Sequence, residues 1–189
     1  QIAYAATHYP KRKGIVTRFI CGDDHEGWYV QREGVDIGKL MQDRFREAGR
    51  EDLEYVGYLE ADIGLPTKDG KRRTWIRLMH PGGGSAYALS YAAQKIVESF
   101  QGGEKPAVLL IGHYHKMDFC LPREVFCVQG GAFQDQTPFM RKNKIQAHVG
   151  GWICRLVQAE DGHVSRFAAE FVRFYDRGFY DKREKFKRW

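Results

Sequence analysis

The segment Gly112-His113-Tyr114-His115 sets two imidazoles one residue apart, directly after the apolar run Ala107-Val108-Leu109-Leu110-Ile111. Imidazole titrates near physiological pH and is the commonest metal ligand among protein side chains, so a pair of this kind can hold a divalent cation. The run before it is short, opened by Pro106 and built of Val, Leu and Ile, which reads as an interior strand of an α/β sheet. In such sheets ligands bind beyond the carboxyl ends of the strands. Gly112 is expected to supply the sharp turn that brings His113 and His115 to one site. Alone, Gly-His-x-His is a weak signal.

Two further stretches repeat the arrangement. Thr74-Trp75-Ile76-Arg77-Leu78-Met79 reads as a strand running into His80, after which Pro81-Gly82-Gly83-Gly84 breaks the chain and Ser85 can cap a helix. Gly14-Ile15-Val16-Thr17-Arg18-Phe19-Ile20-Cys21 has strand character and runs into Gly22-Asp23-Asp24-His25-Glu26, a cluster of carboxylates and imidazole. Three strand ends that each deposit His or Asp offer mixed nitrogen and oxygen donors, which suit Zn, Mn, Fe or Ni better than a thiolate site does.

With these residues in place, the chain resembles the calcineurin-like metallophosphoesterase family. The family's later motifs are Gly-Asn-His-Asp/Glu, a lone His and Gly-His-x-His; in the same order stand Asp23-Asp24-His25-Glu26, His80 and Gly112-His113-Tyr114-His115. The resemblance spans about Ile15 to Phe174. It implies an α/β fold, a sandwich of two mixed sheets flanked by helices, here without its first strands. It also implies that Asp24, His80 and His113 hold one metal, that His115 holds a second, and that His25 acts as general acid or phosphate-stabilising group. Two divalent ions (Mn, Fe, Zn or Ni) would serve the complete enzyme, and a metal-bridging hydroxide would attack phosphorus in line. The implied activity is phosphoester hydrolysis, by a phosphodiesterase or nuclease ahead of a small-molecule phosphomonoesterase; an inactive scaffold that binds nucleic acid or a protein partner is the remaining alternative.

Two departures from the family pattern bear on activity. Asp24 stands where the family has Asn, and the glycine is displaced by one, to Gly22. An added carboxylate favours the cation and weakens attraction for a phosphate. In addition, the family's opening Asp-x-His and Gly-Asp motifs are not found before Gly22, so the chain is expected to be the carboxyl-terminal part of a longer enzyme, with a missing amino-terminal segment as a partner.

Composition is consistent with a globular unit. The chain has 189 residues, 43% of them hydrophobic, and no apolar run near the ~20 residues that span a bilayer, so no membrane partner is expected. The scattered cysteines Cys21, Cys120, Cys127 and Cys154 form no C-x-x-C pair and have apolar neighbours. They read as buried free thiols of a reducing, cytoplasmic compartment, with a Cys120 to Cys127 hairpin pairing left open. Half of the +6 net charge comes from residues 176–189, where Arg177, Lys182, Arg183, Lys185, Lys187 and Arg188 outnumber Asp176, Asp181 and Glu184. Phe179, Tyr180, Phe186 and Trp189 are interleaved with these charges, a mix that grips a nucleic-acid backbone and stacks on bases, or else forms a solvated terminal helix or docking segment. Lys11-Arg12-Lys13 and Arg141-Lys142-Asn143-Lys144 are further basic loops.

The positioning elements follow from periodicity. Residues 36–49 predict a helix stopped by Gly49, and Tyr55 to Leu59 a strand. Ala61 to Leu65 and Arg73 to Met79 flank the turn signal Lys68-Asp69-Gly70-Lys71 and predict a hairpin. A helix after Ser85, burying Leu89, Ala92, Ala93, Ile96, Val97 and Phe100, is expected to end at Gly102-Gly103. Its amino end would lie just beyond His80. Strands are expected at Glu124 to Val128, Gly150 to Val157 and Val164 to Phe174. The organisation expected is one domain, 1–175, with a tail at 176–189. His8 and His163 read as exposed, His148 as a packing or surface residue that could approach the site, and Trp28 and Tyr29 as core aromatics or a substrate platform.

Overall fold

The computed structural model describes residues 1–22, 27–84 and 86–174. Asp24, His25, the Ser85 cap and the basic aromatic tail lie outside the described residues.

A mixed five-stranded sheet forms the centre of the fold. Its strands are β3 (Glu60–Pro66), β4 (Arg73–Met79), β5 (Val108–Ile111), β6 (Met117–Cys120) and β7 (Phe126–Gly130), in the spatial order β3-β4-β5-β7-β6. β4, β5 and β7 run parallel, and β3 and β6 close the two edges antiparallel. The β3–β4 hairpin turns where the sequence signal places it: Gly70 takes φ 72°, and Asp69 Oδ1 accepts from the Thr67 hydroxyl (2.6 Å) and the Lys71 N–H (3.0 Å). Alternation along the parallel strands sends side chains to two faces. Leu109, Ile111 and Cys127 pack with Val125 under Ala93 and Val97 of helix α4 (Tyr91–Ser99).

On the opposite face Leu78, Leu110 and Val128 look toward the hairpin of β8 (Gly150–Gln158) and β9 (Val164–Arg173), across a cavity of about 780 Å³. Phe126 stacks on Phe167 of β9 with centroids 4.7 Å apart, and Gln158 Nε2 donates to Leu65 O (2.9 Å) and Thr74 Oγ1 (2.7 Å). These contacts fasten the hairpin to the main sheet. The α/β class expected from the sequence is thus what forms, a mixed sheet with a helix on one face and a second sheet on the other.

A two-stranded parallel pair, β1 (Thr17–Cys21) with β2 (Leu53–Tyr58), completes the sheets. Parallel neighbours need a crossover, and it carries α2 (Gly27–Glu33) and α3 (Ile37–Glu47). Asp36 caps α3 by accepting from Lys39 N–H. Phe45 of α3 and Leu53 pack with Ala6 of α1 (Ile2–His8) into a second, smaller core. Trp28 and Tyr29 on α2 are exposed, and Arg32 lies over the Trp28 ring at 5.3 Å, so the core reading of these aromatics is overturned.

Arg50 anchors α1. Its guanidinium donates to the carbonyls of Ala6 (2.7 Å) and Tyr9 (2.9 Å), where helix carbonyls lack partners, and grips Asp52 at 2.8 Å through both Nε and Nη2. The Arg50 hydrogen bonds hold the Asp52 carboxyl down at about 2, below its ordinary 3.8. A carboxyl depressed on folding contributes stability that is complete above its unfolded value and lost as pH falls through the folded one. Acidification from about pH 4 to pH 2 is therefore expected to lower the urea midpoint less in Asp52→Asn than in the wild type. An equal loss in both would remove the pair from the acid sensitivity.

Two expectations need correction. The helix after Ser85 begins six residues later, at Tyr91, with Ser90 as its cap position. The buried Gln129 side chain takes the Leu89 carbonyl at 2.7 Å, which ties this stretch to β7 ahead of the helix. Among the described residues no helix amino end is presented just beyond His80, and Leu89 is exposed. The cysteines also differ: Cys21 and Cys127 are buried, Cys120 half-buried and Cys154 exposed. Cys154 sits on β8 facing the open cavity. Among the described residues no helix is long and apolar enough to cross a membrane.

Candidate metal-binding pocket

Three chain segments converge where β1, β4 and β5 end. Leu59, at φ 62° between β2 and β3, donates its N–H to Cys21 O (3.0 Å), while its carbonyl accepts from His80 N–H (2.7 Å). Gly112 N–H donates to Met79 O (2.9 Å) and continues the β4–β5 ladder past the last paired residues. The backbone thus stitches Cys21, His80 and Gly112 side by side. Gly22 is required here for space: a Cβ at this position would meet Cε1 and Nε2 of His80, both at 2.6 Å. Only glycine lets the β1 end lie against that imidazole. The Asp23-Asp24-His25-Glu26 stretch begins at the next residue.

His80 and His113 meet edge to face with ring centroids 4.8 Å apart. The turn carrying His113 is closed by Tyr114 N–H on the Gly112 carbonyl (3.0 Å), with His113 itself at φ 77°. An i to i+2 bond around a central residue with positive φ is the rare, strained form of the γ-turn. His115 follows at φ 54°. The sequence places the conformational burden on Gly112, whereas the histidines carry it, because Gly112 N–H is held in the ladder. Non-glycine residues in such conformations persist where the surroundings over-determine them, and they cluster at functional sites.

The surroundings are visible. His113 Nε2 lies 2.7 Å from the Gly83 carbonyl, an acceptor, so this nitrogen donates. His115 is fixed from behind: its carbonyl accepts from His148 N–H (2.8 Å), and His148 Nδ1 accepts from Met117 N–H (2.9 Å). Gly131, at φ 77°, completes this junction, since a Cβ there would meet Met117 Cγ at 2.5 Å and the His148 carbonyl at 2.8 Å. His148 is thus a packing residue that braces the His115 backbone. His8 and His163 are exposed, away from the pocket.

His80, His113 and His115 share one pocket of about 490 Å³. Gly83, Gly84, Gln134 and Thr137 line it as well, together with Tyr114, Phe139, Met140 and Ile145. Burial pushes the Tyr114 phenol up, keeping it protonated. Helix α5 (Pro138–Lys142), capped by Thr137, brings Phe139 and Met140 to the pocket. Sequence reasoning missed this wall, although Thr137-Pro138 is a helix-start signal. It also missed the Gly83 carbonyl, a backbone acceptor that no residue type announces.

In donor chemistry the pocket fits a divalent cation. Metal-ligating histidines commonly give their other N–H to a backbone carbonyl, as His113 does to Gly83. In donor number the described residues fall short, since no group of three or more His, Cys, Asp or Glu side chains that could hold a metal occurs among them. Asp24 and His25 lie outside that set.

No family model matches the sequence, and no curated protein matches it. The chain is similar to solved structures of Vps29 from Entamoeba histolytica. A single mutant of Vps29 is 15% identical, with 86% of this chain and 85% of that chain covered and a TM-score of 0.39. A double mutant gives 13%, 92%, 88% and 0.42, and the wild type complexed with Zn²⁺ gives 12%, 86%, 85% and 0.37.

Proposed function

We propose that the chain carries the imidazole side of a divalent-metal site that hydrolyses phosphoesters, with phosphodiesters of nucleic acid preferred over small phosphomonoesters. The observation that carries this reading is the meeting of His80 and His113 at the junction of three strand ends, with His113 oriented by the Gly83 carbonyl. Asp24, two residues beyond Gly22, would join these two imidazoles around one cation, and His115 would serve a second. Mn, Fe, Zn and Ni all suit such donors. When bound, a divalent cation polarises a phosphoryl oxygen and makes water acidic enough to act as a nucleophile at neutral pH.

The chain's own residues do the remainder. His25 would give a proton to the leaving oxygen or hydrogen-bond to the phosphate. Tyr114, Met140 and Ile145 give the pocket an apolar lining. Exposed Arg141, Lys142 and Lys144, on and just after α5, together with the basic residues of 176–189, favour a polyanionic substrate. The free cysteines support a reducing, cytoplasmic setting for this activity.

The alternative is a phosphoesterase-like scaffold that binds nucleic acid or a protein partner without turnover.

The test is Mn²⁺-dependent hydrolysis of bis-p-nitrophenyl phosphate, compared with p-nitrophenyl phosphate, with and without EDTA. Asp24, His80, His113 and His115 are a partial set for two metals, so these 189 residues alone are expected to bind a divalent ion and turn over little or nothing. EDTA-sensitive hydrolysis abolished in His113→Ala would establish the enzyme within this chain. Faster monoester turnover would reverse the diester preference, and binding of an oligonucleotide without divalent binding would favour the scaffold.

A further inference from the structure

Cys120 on edge strand β6 is directly opposite Cys127 on β7 in the antiparallel register. Opposed residues of an antiparallel pair project to the same face, with Cα atoms ~4.5–5.5 Å apart, inside the ~4.4–6.8 Å window of disulfides. Both thiols are free, and the two residues face each other across the strand pair. Cys127 is fully buried against Ala93 and Val97, while Cys120, at the margin of that core, is half-buried.

We propose that Cys120 and Cys127 form a reversible cross-strand disulfide, a redox modification site on the edge of the main sheet. The oxidant is a small-molecule disulfide such as oxidised glutathione. The Cys120 thiolate attacks one of its sulfurs, forming a mixed disulfide and releasing one glutathione thiolate. Cys127, losing its proton to solvent, then attacks the Cys120 sulfur and releases the second. Two protein thiols become one disulfide and one oxidised glutathione becomes two reduced ones, the protons balancing in solvent. The roles follow from position: Cys120, half-buried on the edge strand, is the thiol an oxidant reaches first, and Cys127, fully buried opposite it, resolves the mixed disulfide. The bond would pin the far end of β6, the strand that begins two residues after His115.

The experiment treats the folded chain with oxidised glutathione, alkylates the remaining thiols after denaturation and maps the peptides by mass. The expected result is a linked Cys120–Cys127 peptide lighter by two hydrogens, reversed by dithiothreitol and absent from Cys120→Ser and from Cys127→Ala. Recovery of both cysteines alkylated would overturn the proposal. Arrest at a glutathione adduct on Cys120, or linkage of either residue to Cys21 or Cys154, would overturn it equally.

Discussion

Replacing Gly22 by alanine is expected to weaken divalent-cation binding about 10–100-fold, the range for changes to groups that orient a metal ligand. The new methyl would stand 2.6 Å from two atoms of the His80 ring. Gly22 follows directly on β1, and Cys21 is bonded to Leu59, which is bonded in turn to His80, so the backbone cannot easily yield. The imidazole must swing instead, away from its edge-to-face contact with His113. Because the displaced ring is at the end of a side chain, the fold should survive with little change in urea midpoint. Calorimetric titration with Mn²⁺ or Zn²⁺ on Gly22→Ala reads the affinity directly. Unchanged affinity would mean that His80 is not a ligand.

The largest effect on stability is expected at Leu109→Ala. Leu109 sits in the middle of β5 with no exposed surface, enclosed by Ala93, Val97, Ile111, Val125 and Cys127. Truncating a fully buried leucine loses transfer energy and leaves a cavity, together about 2–5 kcal/mol. Domains of this size are stabilised by about 5–15 kcal/mol, so the variant approaches the point of unfolding at ambient temperature. Ile111→Val, which removes one methylene from the same layer, should lose only about 0.5–1.5 kcal/mol. Urea denaturation of the two variants checks both the size and the order. A loss below about 1 kcal/mol at Leu109 would show that α4 does not seal this face.

How far the sequence leads depends on the kind of physics involved. β1, β4 and β5 are legible because short apolar runs between turn signals have few alternatives to buried strands. The β3–β4 hairpin is legible because Asp69 and Gly70 have defined roles in its turn. β6 escapes because Met117-Asp118-Phe119-Cys120 is only four residues long, on an edge, and owes its strand conformation to β7. The delayed start of α4 escapes because it follows from a tertiary bond, Gln129 to the Leu89 carbonyl, forty residues away in sequence.

At the site, residue types announce the imidazoles but not their conformation. Gly-His-x-His suggests a flexible glycine, yet the ladder claims Gly112 and leaves the left-handed backbone to His113 and His115. Nor can spacing show that His80 and His113 touch while Gly83 supplies the orienting carbonyl across thirty residues. The need for Gly22 is likewise a matter of space, and only the position of the His80 ring reveals it.

The most direct test of the central reading is a calorimetric titration of Mn²⁺ or Zn²⁺ into the wild-type chain, His80→Ala and His113→Ala. Saturable binding to the wild type, lost or weakened at least about tenfold in each variant, is the expected result. No saturable binding to the wild type, or equal binding to all three proteins, would contradict a metal site built on these histidines.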